Sequence, residues 1–242
     1  MSNHSDNTAK KIAGWIKKGN TVIFSGAGMS TASGIPDFRS TYGLWYQFNP
    51  MEIATIKAYR ENYIQFRDFY RERIRNLENV TPNTGHNILV EWENKGFIKG
   101  LITQNVDGLH KKAGTKNIAE LHGRLEEIVC GICSARHDLA SFFIDIQCDC
   151  TGTLRPNVVL FGEQLPQEPL SLAEEWSIYC KTFIVLGSSL VVSPANLFPE
   201  MAKDHGAKLI ICNREETNLD RIADVVVHKD IDNFLSEINV FL

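Results

Sequence analysis

Four of the chain's six cysteines crowd into one stretch, as Cys130 and Cys133 and then, fourteen residues on, Cys148 and Cys150. Thiolates in two close pairs suit a tetrahedral structural zinc site, whose four protein ligands leave no open position for catalysis. A single C-x-x-C would also serve as a redox pair; the second pair shifts the reading to metal. That second pair is C-x-C, so its loop is one residue tighter than the first. Cys180 and Cys212 adjoin apolar runs and are expected to be buried hydrophobes. The polar start, MSNHSDNTAKK, lacks the apolar stretch of an export signal, which favours free or metal-bound thiols over disulfides.

A second chemistry is suggested by Ser25-Gly26-Ala27-Gly28, which follows the apolar run Thr21-Val22-Ile23-Phe24. A strand ending in a glycine turn lets backbone amides approach a pyrophosphate. Thr31 breaks the dinucleotide spacing G-x-G-x-x-G, and the next glycine is Gly34, so the loop alone is equally a plain turn. Thr103-Gln104-Asn105-Val106-Asp107-Gly108 also follows an apolar run. Its amides and acid suit ribose hydroxyls and a carboxamide, or simply a turn that caps a helix. Gly187-Ser188-Ser189 ends another run and has the same two readings. His122, in Leu121-His122-Gly123, is one of seven histidines, and residue type alone does not single it out.

These groups need a scaffold. Apolar runs recur at Thr21–Phe24, Ile98–Thr103, Val158–Phe161, Thr182–Leu186, Leu209–Ile211 and Val225–Val227. Continuous runs of this kind suit strands buried on both faces. Segments with helical spacing lie between several of them, as at Asn87–Asn94 and Pro194–Lys203. The alternation predicts an α/β fold with a parallel, doubly wound sheet. Two regions interrupt it. Residues 42–79 read as helical, with Tyr63, Phe66, Tyr70, Ile74 and Leu77 at three- and four-residue steps, and 126–153 holds the clustered cysteines. We therefore expect a single domain over 1–242. Its large lobe would take up about 1–41, 80–125 and 154–242, and its small lobe about 42–79 and 126–153.

Composition narrows the partners. The 242 residues are 43% hydrophobic, 22% charged and 10% aromatic, which excludes intrinsic disorder. A net charge of -4 argues against general affinity for nucleic acid or anionic membranes. No apolar stretch of about 18 residues is present to span a bilayer.

The segment GAGMSTASGIPDFRS, from Gly26 to Ser40, resembles the signature of the sirtuin family of NAD-dependent protein deacylases, and the resemblance runs from about Ala13 to the C-terminus. It implies a Rossmann-like sheet with a smaller zinc-binding and helical lobe, and NAD in the cleft between them. The implied cofactor contacts are Gly26, Ala27, Gly28, Ser33, Ile35, Asp37, Phe38 and Arg39 in the first loop. Gln104, Asn105, Val106 and Asp107 follow in the second, Gly187, Ser188 and Ser189 in the third, and Asn213, Glu215 and Ile231 on the adenosine side. The family's general base is the histidine of the LHG element, here His122, with Asn105 and Asp107 completing the catalytic set.

In the implied reaction the acyl-lysine carbonyl oxygen attacks the anomeric carbon of the nicotinamide riboside as nicotinamide leaves. His122 then helps deprotonate a ribose hydroxyl, which attacks the resulting imidate, and water releases lysine and O-acyl-ADP-ribose. Pro156–Glu163 resembles the family's substrate strand. Val159, Phe161, Gly162 and Glu163 would hold an extended acyl-lysine protein or peptide there as an added strand; a plain core strand also fits VVLF. The four-cysteine pattern is similar to the family's structural zinc site, although the family usually has C-x-x-C in both halves.

Tyr70 and Arg73 are three apart and can share one helix face. Sirtuins that remove succinyl or malonyl groups carry Y-x-x-R in this helix, with a small alanine upstream that Ala54 matches. A guanidinium can grip the acyl carboxylate bidentately. Alternatively, Tyr70 is only part of the apolar stripe and Arg73 one of five solvated arginines between 60 and 75. The expected protein is a cytoplasmic deacylase, monomeric or weakly oligomeric, with NAD as cosubstrate and one structural zinc. The alternatives are an NAD-dependent mono-ADP-ribosyltransferase and, from another class, a non-catalytic NAD or ADP-ribose sensor.

Overall fold

The computed structural model describes residues 2–38 and 43–242. The chain opens with α1 (Ser2–Ile16), β1 (Thr21–Ser25) and a 3-10 helix over Ala27–Ser33. Four helices follow: α2 (Leu44–Gln47), α3 (Pro50–Ile53), α4 (Ile56–Glu61) and α5 (Tyr63–Arg75). Next come α6 (Thr84–Asn94), β2 (Ile98–Thr103), α7 (Leu109–Ala113) and β3 (Ile118–Glu120). The cysteine region supplies β4 (Gly123–Cys130), β5 (Arg136–His137) and α8 (Leu139–Phe143), and leads into β6 (Leu154–Val158). The last third is α9 (Gln167–Tyr179), β7 (Thr182–Leu186), α10 (Leu197–Asp204), β8 (Lys208–Cys212), β9 (Val225–Val227) and α11 (Ile231–Asn239).

Six strands form one parallel sheet in the order β3-β2-β1-β7-β8-β9. Numbered within that sheet the order is 3-2-1-4-5-6, the doubly wound dinucleotide-binding arrangement. The winding reverses between β1 and β7, which run in register from Thr21 beside Thr182 to Ser25 beside Leu186. The loops leaving those two strands depart toward opposite faces and open a crevice at their carboxyl ends.

Both faces of the sheet are covered. Ile23, Leu101, Ile184 and Ile210 pack with α1, α6 and α11 through Ile12, Trp92, Phe234 and Leu235. Phe24, Ile102, Phe183, Val185 and Ile211 pack with α9 and α10 through Ala173, Trp176, Phe198 and Ala202. Burial on both sides explains why these strands read as unbroken apolar runs. Cys180 and Cys212 are buried in the same two clusters, and burial pushes both thiols up to about 12.

Two strand expectations need correction, and one strand was not foreseen. The run Val158–Phe161 is not in the parallel sheet: only Val158 is in a strand, at the end of β6, which pairs antiparallel with β4 in the small sheet β5-β4-β6. Val158 and Leu160 are buried while Phe161 is exposed, so this run packs on one side only. The valines of β9 are half-buried rather than buried, because β9 is the sheet's edge. β3 has no apolar run to announce it; three residues pair with β2 at the opposite edge.

A third core lies off the sheet. Ile53, Tyr59, Phe66, Phe69, Tyr70 and Ile74 meet Leu125, Ile128, Phe142, Leu154 and Leu160. The stripe on α5 builds it, with Phe66, Tyr70 and Ile74 each at most 3% exposed.

Candidate active site

The crevice at the sheet's reversal continues into a cleft of about 810 Å³, within the range of small-molecule sites. Its floor is made by the two glycine turns. The Gly26 N–H donates to the Leu186 carbonyl at 3.0 Å, and the Gly28 N–H to the Gly187 carbonyl at 2.9 Å. A Cβ on Gly28 would stand 2.7 Å from the Gly187 Cα, so only glycine lets these turns pack backbone against backbone. Gly26, Ala27, Gly28, Gly187, Ser188 and Ser189 all line the cleft, as do Asp37 and Phe38. Ser33 and Ile35 are not among its walls, and Arg39 lies outside the described residues.

The segment after β2 is held by a buried hydrogen-bond chain. Ser25 donates to the Thr103 hydroxyl at 2.8 Å and pairs with His110 Nε2 at 2.9 Å. Thr103 in turn accepts the Asn105 N–H at 3.0 Å. The Asn105 side-chain amide donates to the Gly26 carbonyl (3.1 Å) and to the Ser30 hydroxyl (3.2 Å). Gln104, Asn105 and Val106 line the cleft. Asp107 does not; one carboxylate oxygen accepts Ser30 Oγ–H at 2.7 Å and the other the Leu109 N–H at 2.9 Å. Asp107 therefore braces the first loop and the start of α7, as the turn reading of this segment describes. Burial pushes its carboxyl above the usual range.

His122 faces the same cleft. Its Nδ1 lies 3.0 Å from the Gln104 carbonyl oxygen. A carbonyl only accepts, so Nδ1 carries the proton and Nε2 is left as a free base. Burial lowers this imidazole's pKa, with the Gln104 bond acting the other way, so it is neutral at pH 7. Next to it, Gly123 has φ 72°, and a Cβ there would stand 1.9 Å from the Asn157 carbonyl oxygen. The glycine of Leu121-His122-Gly123 is thus a packing requirement. Gln104 also reaches across the floor, donating its side-chain amide to Ser188 Oγ at 3.1 Å.

One wall is extended backbone. The Val159 N–H donates to the His122 carbonyl and the Phe161 N–H to the Ala54 carbonyl, both at 2.9 Å. Val159, Phe161, Gly162 and Glu163 all line the cleft. Glu163 turns away to its own partner: its carboxylate takes both Arg155 terminal nitrogens at 2.7 and 2.8 Å and the Leu160 N–H at 2.8 Å. Val191, Val192, Ser193 and Pro194 also line the cleft. None of them was expected at the site, Pro194 being expected only to start a helical segment, although two valines one residue beyond a polar Gly-Ser-Ser turn are a usable signal. Asn213, Glu215 and the tail at Asp230 and Ile231, expected at the adenine edge, line the cleft as well, and Arg214 and Lys229 beside them were missed.

Ala54, Tyr70 and Arg73 close the opposite end. The Arg73 guanidinium lies over the rings of Phe38 (5.4 Å), Phe69 (5.7 Å) and Tyr70 (5.9 Å). Among the described residues no carboxylate stands within ion-pair distance of it. Burial lowers the Arg73 pKa, with Tyr70 and Asp107 opposing, and pushes the Tyr70 phenol up to about 12.

The four sulfurs of Cys130, Cys133, Cys148 and Cys150 lie within 4.8 Å of one another. The closest pairs are 3.4 and 3.5 Å apart, far beyond a disulfide and close to the ~3.8 Å edge of a zinc–thiolate tetrahedron. Burial opposes ionisation of Cys130, but the backbone N–H groups of Cys133 and Ile132 bring its thiol down to about 6. The donor set fits zinc, and the C-x-C loop delivers both of its sulfurs. Thr151 and Gly152 make the turn, with the Cys148 N–H donating to the Gly152 carbonyl at 3.1 Å.

A model of the Sir2 family matches residues 26–194. The NAD-dependent protein deacetylase of Shouchella clausii is 50% identical over 220 residues, covering 90% of this chain and 93% of its own length. The protein of the same description from Saccharolobus solfataricus is 46% identical over 232 residues, covering 92% of each. A solved Sir2 structure with a p53 peptide and NAD+ matches with a TM-score of 0.86 at 36% identity, over 94% of this chain and 95% of its own. Another, with a deacetylated p53 peptide and 3'-O-acetyl ADP ribose, reaches 0.89 at 37% identity over 95% and 96%. With its sheet order, paired glycine turns and four-sulfur cluster already matching what that likeness requires, the chain belongs to the Sir2 family.

Proposed function

We propose that this protein is an NAD-dependent protein-lysine deacetylase. The observation that carries the reading is His122, a neutral imidazole with Nε2 free, set between the paired glycine turns and an extended backbone edge. NAD, when bound, supplies an electrophilic ribose carbon that the acyl oxygen captures as nicotinamide leaves. The chain's residues do the rest. Gly26, Gly28 and Gly187 spend their own N–H groups within the floor and keep it close-packed, the Ser188 hydroxyl, which accepts from Gln104, keeps its proton for the pyrophosphate, and Asn213, Glu215 and Ile231 flank the adenosine. Asn105 faces the carboxamide, with Asp107 bracing it through Ser30. His122 Nε2 accepts a ribose hydroxyl proton. An extended peptide fits between the Val159–Gly162 segment and Val191–Pro194 as an added strand. The four cysteines would hold one zinc, which ties the small sheet together and takes no part in the chemistry.

His122→Ala should fold, bind NAD and still release nicotinamide in the first step, but lose deacetylation, because the ribose hydroxyl keeps its proton; retained deacetylation would sink the assignment. Labelled NAD separates the transferase alternative, because transfer leaves label on protein whereas deacetylation releases O-acetyl-ADP-ribose. NAD binding without nicotinamide release from any acyl-peptide would support the sensor reading instead. The reading carries with it a cytoplasmic enzyme, monomeric or weakly associating, without stable nucleic-acid partners. The cysteine sulfurs, too far apart for disulfides, support the cytoplasmic part of it; among the described residues no helix is long and apolar enough to cross a membrane.

Acidic acyl groups form a second part of the proposal. Among the described residues Arg73 has stacking partners but no carboxylate within ion-pair distance, and it lines the cleft with Tyr70 and the small Ala54. A succinyl or malonyl carboxylate would complete it. Comparing succinyl- and acetyl-peptide turnover in wild type and Arg73→Met tests this; equal weakening of both substrates overturns it.

A further inference from the structure

The helix that ends the cleft has a second face. Arg67, Arg71 and Arg75 are spaced four apart on α5, and all three meet the cysteine module. Arg71 is only 8% exposed. Its Nε donates to the Phe142 carbonyl at 3.0 Å, and its Nη2 donates to the same oxygen and, at 2.7 Å, to Asp145 Oδ1. Its guanidinium also lies 5.4 Å from the Phe142 ring centroid. Arg67 reaches the same Asp145 oxygen at 2.7 Å, and Arg75 lies 5.1 Å from the Phe143 ring centroid. Burial works against the Asp145 carboxylate, yet the two arginines hold its pKa below the ordinary value. Phe142, Phe143 and Asp145 all belong to the chain between Cys133 and Cys148. Tyr59 and Tyr63 add bonds to the Thr153 and Leu154 carbonyls just beyond the second cysteine pair.

Apolar packing against Leu125 and Ile128 is non-directional. The Arg71 fork, with three hydrogen bonds to two oxygens, fixes the rotation of α5 about its axis, and the Tyr63 hydroxyl adds one tie at the helix start. Rolling α5 would carry Tyr70 and Arg73 out of the cleft, because they project from the same two turns as Arg71. We infer that Arg71, aided by Arg67 and Asp145, is a positioning residue that makes the acyl end of the cleft depend on the folded cysteine module. The inference rests on the deacylase reading for its kinetic consequences, but not for its structural ones.

The zinc-loaded protein carrying Arg71→Met tests it by two readouts. The KM for acyl-peptides should rise about tenfold, the scale of one lost charge-assisted hydrogen bond. The KM for NAD and kcat should stay within about twofold. Backbone amides from Phe66 to Ile74 should exchange with solvent faster by a similar factor, at unchanged zinc content. Asp145→Asn keeps the Phe142 carbonyl contact, so it should shift both readouts in the same direction by less, and it serves if Arg71→Met does not fold. Chelating zinc from the wild type should speed exchange over the same amides. Unchanged exchange at 66–74, or a KM for NAD that rises as far as that for peptide, overturns the inference. A wild type that processes no acyl-peptide would refute the deacylase reading instead, and the exchange experiment would still decide this one.

Discussion

Arg155 and Glu163 latch the extended edge proposed to take the peptide, and Arg155→Met should unlatch it. Arg155 is 8% exposed, pairs with both Glu163 oxygens and also donates to the Val158 and Pro156 carbonyls. Methionine fills much of the stem's volume but provides no donor, so the Glu163 charge and the Val158 carbonyl lose their partners. Breaking a fully buried pair costs about 3–5 kcal/mol. The Glu163 side chain is 26% exposed and regains some solvation, which brings the expected loss to about 2–3 kcal/mol. In a chain of this size that lowers Tm by about 4–12 °C.

The pH dependence sharpens the test. Burial would raise the Glu163 pKa, but Arg155 and the Leu160 N–H bring it below the ordinary value. A depressed carboxylate contributes stability above its unfolded pKa of about 4.5 and loses it as pH falls through the folded value. The gap between wild type and Arg155→Met should therefore be full at pH 7 and shrink below about pH 4. Thermal unfolding at the two pH values, with peptide KM at pH 7, measures all of this. A peptide KM unchanged in Arg155→Met, or a stability gap that stays constant with pH, would refute the latch.

Other expectations follow from single contacts. Gly28→Ala puts a methyl 2.7 Å from the Gly187 Cα and, at about 1–3 kcal/mol of overpacking, should weaken NAD binding about tenfold by calorimetry; an unaltered Kd would count against the paired-turn floor. Purified protein should hold about one zinc per chain. Cys148→Ser should lose that zinc and Cys180→Ser should keep it, as metal analysis would show. His86 is fully buried and brought down to about 4 by burial, and buried His110 is lowered too. Their unfolded forms take up protons below about pH 6.5 while the folded forms cannot, so stability falls from there toward pH 4, by about 3 kcal/mol for His86 alone. His86→Gln should flatten that slope in acid-unfolding curves.

Much of the scaffold was legible in the sequence because its signals are local. A strand covered on both faces is apolar at most of its positions, so β1, β2, β7 and β8 announced themselves despite the exposed Lys99 and Lys208 near their starts. The α5 stripe did so through its 3.6-residue period. Val158–Phe161 misled for the same reason: four apolar residues look alike whether both faces or only one is buried. β3 stayed hidden because three edge residues need little hydrophobicity. Within the site, the glycine turns and His122 stood in motifs, whereas Val191–Pro194 became a wall only through the chain's path after β7.

By itself the sequence determined which groups are available: four thiols in two pairs, two glycine turns, an amide-rich segment and one histidine in a motif. Their residue types fix what they can bind or protonate. Tertiary structure alone decided which of them face the cleft and which support it. Asp107 and Glu163 are both acids in motif positions, yet one braces Ser30 and the other latches to Arg155. No spacing encodes that difference, because a carboxylate takes its direction from the donors that folding brings beside it. His122 shows the same division. Its type permits base chemistry, and the Gln104 carbonyl, placed there by the register of β2, decides which nitrogen is free to perform it.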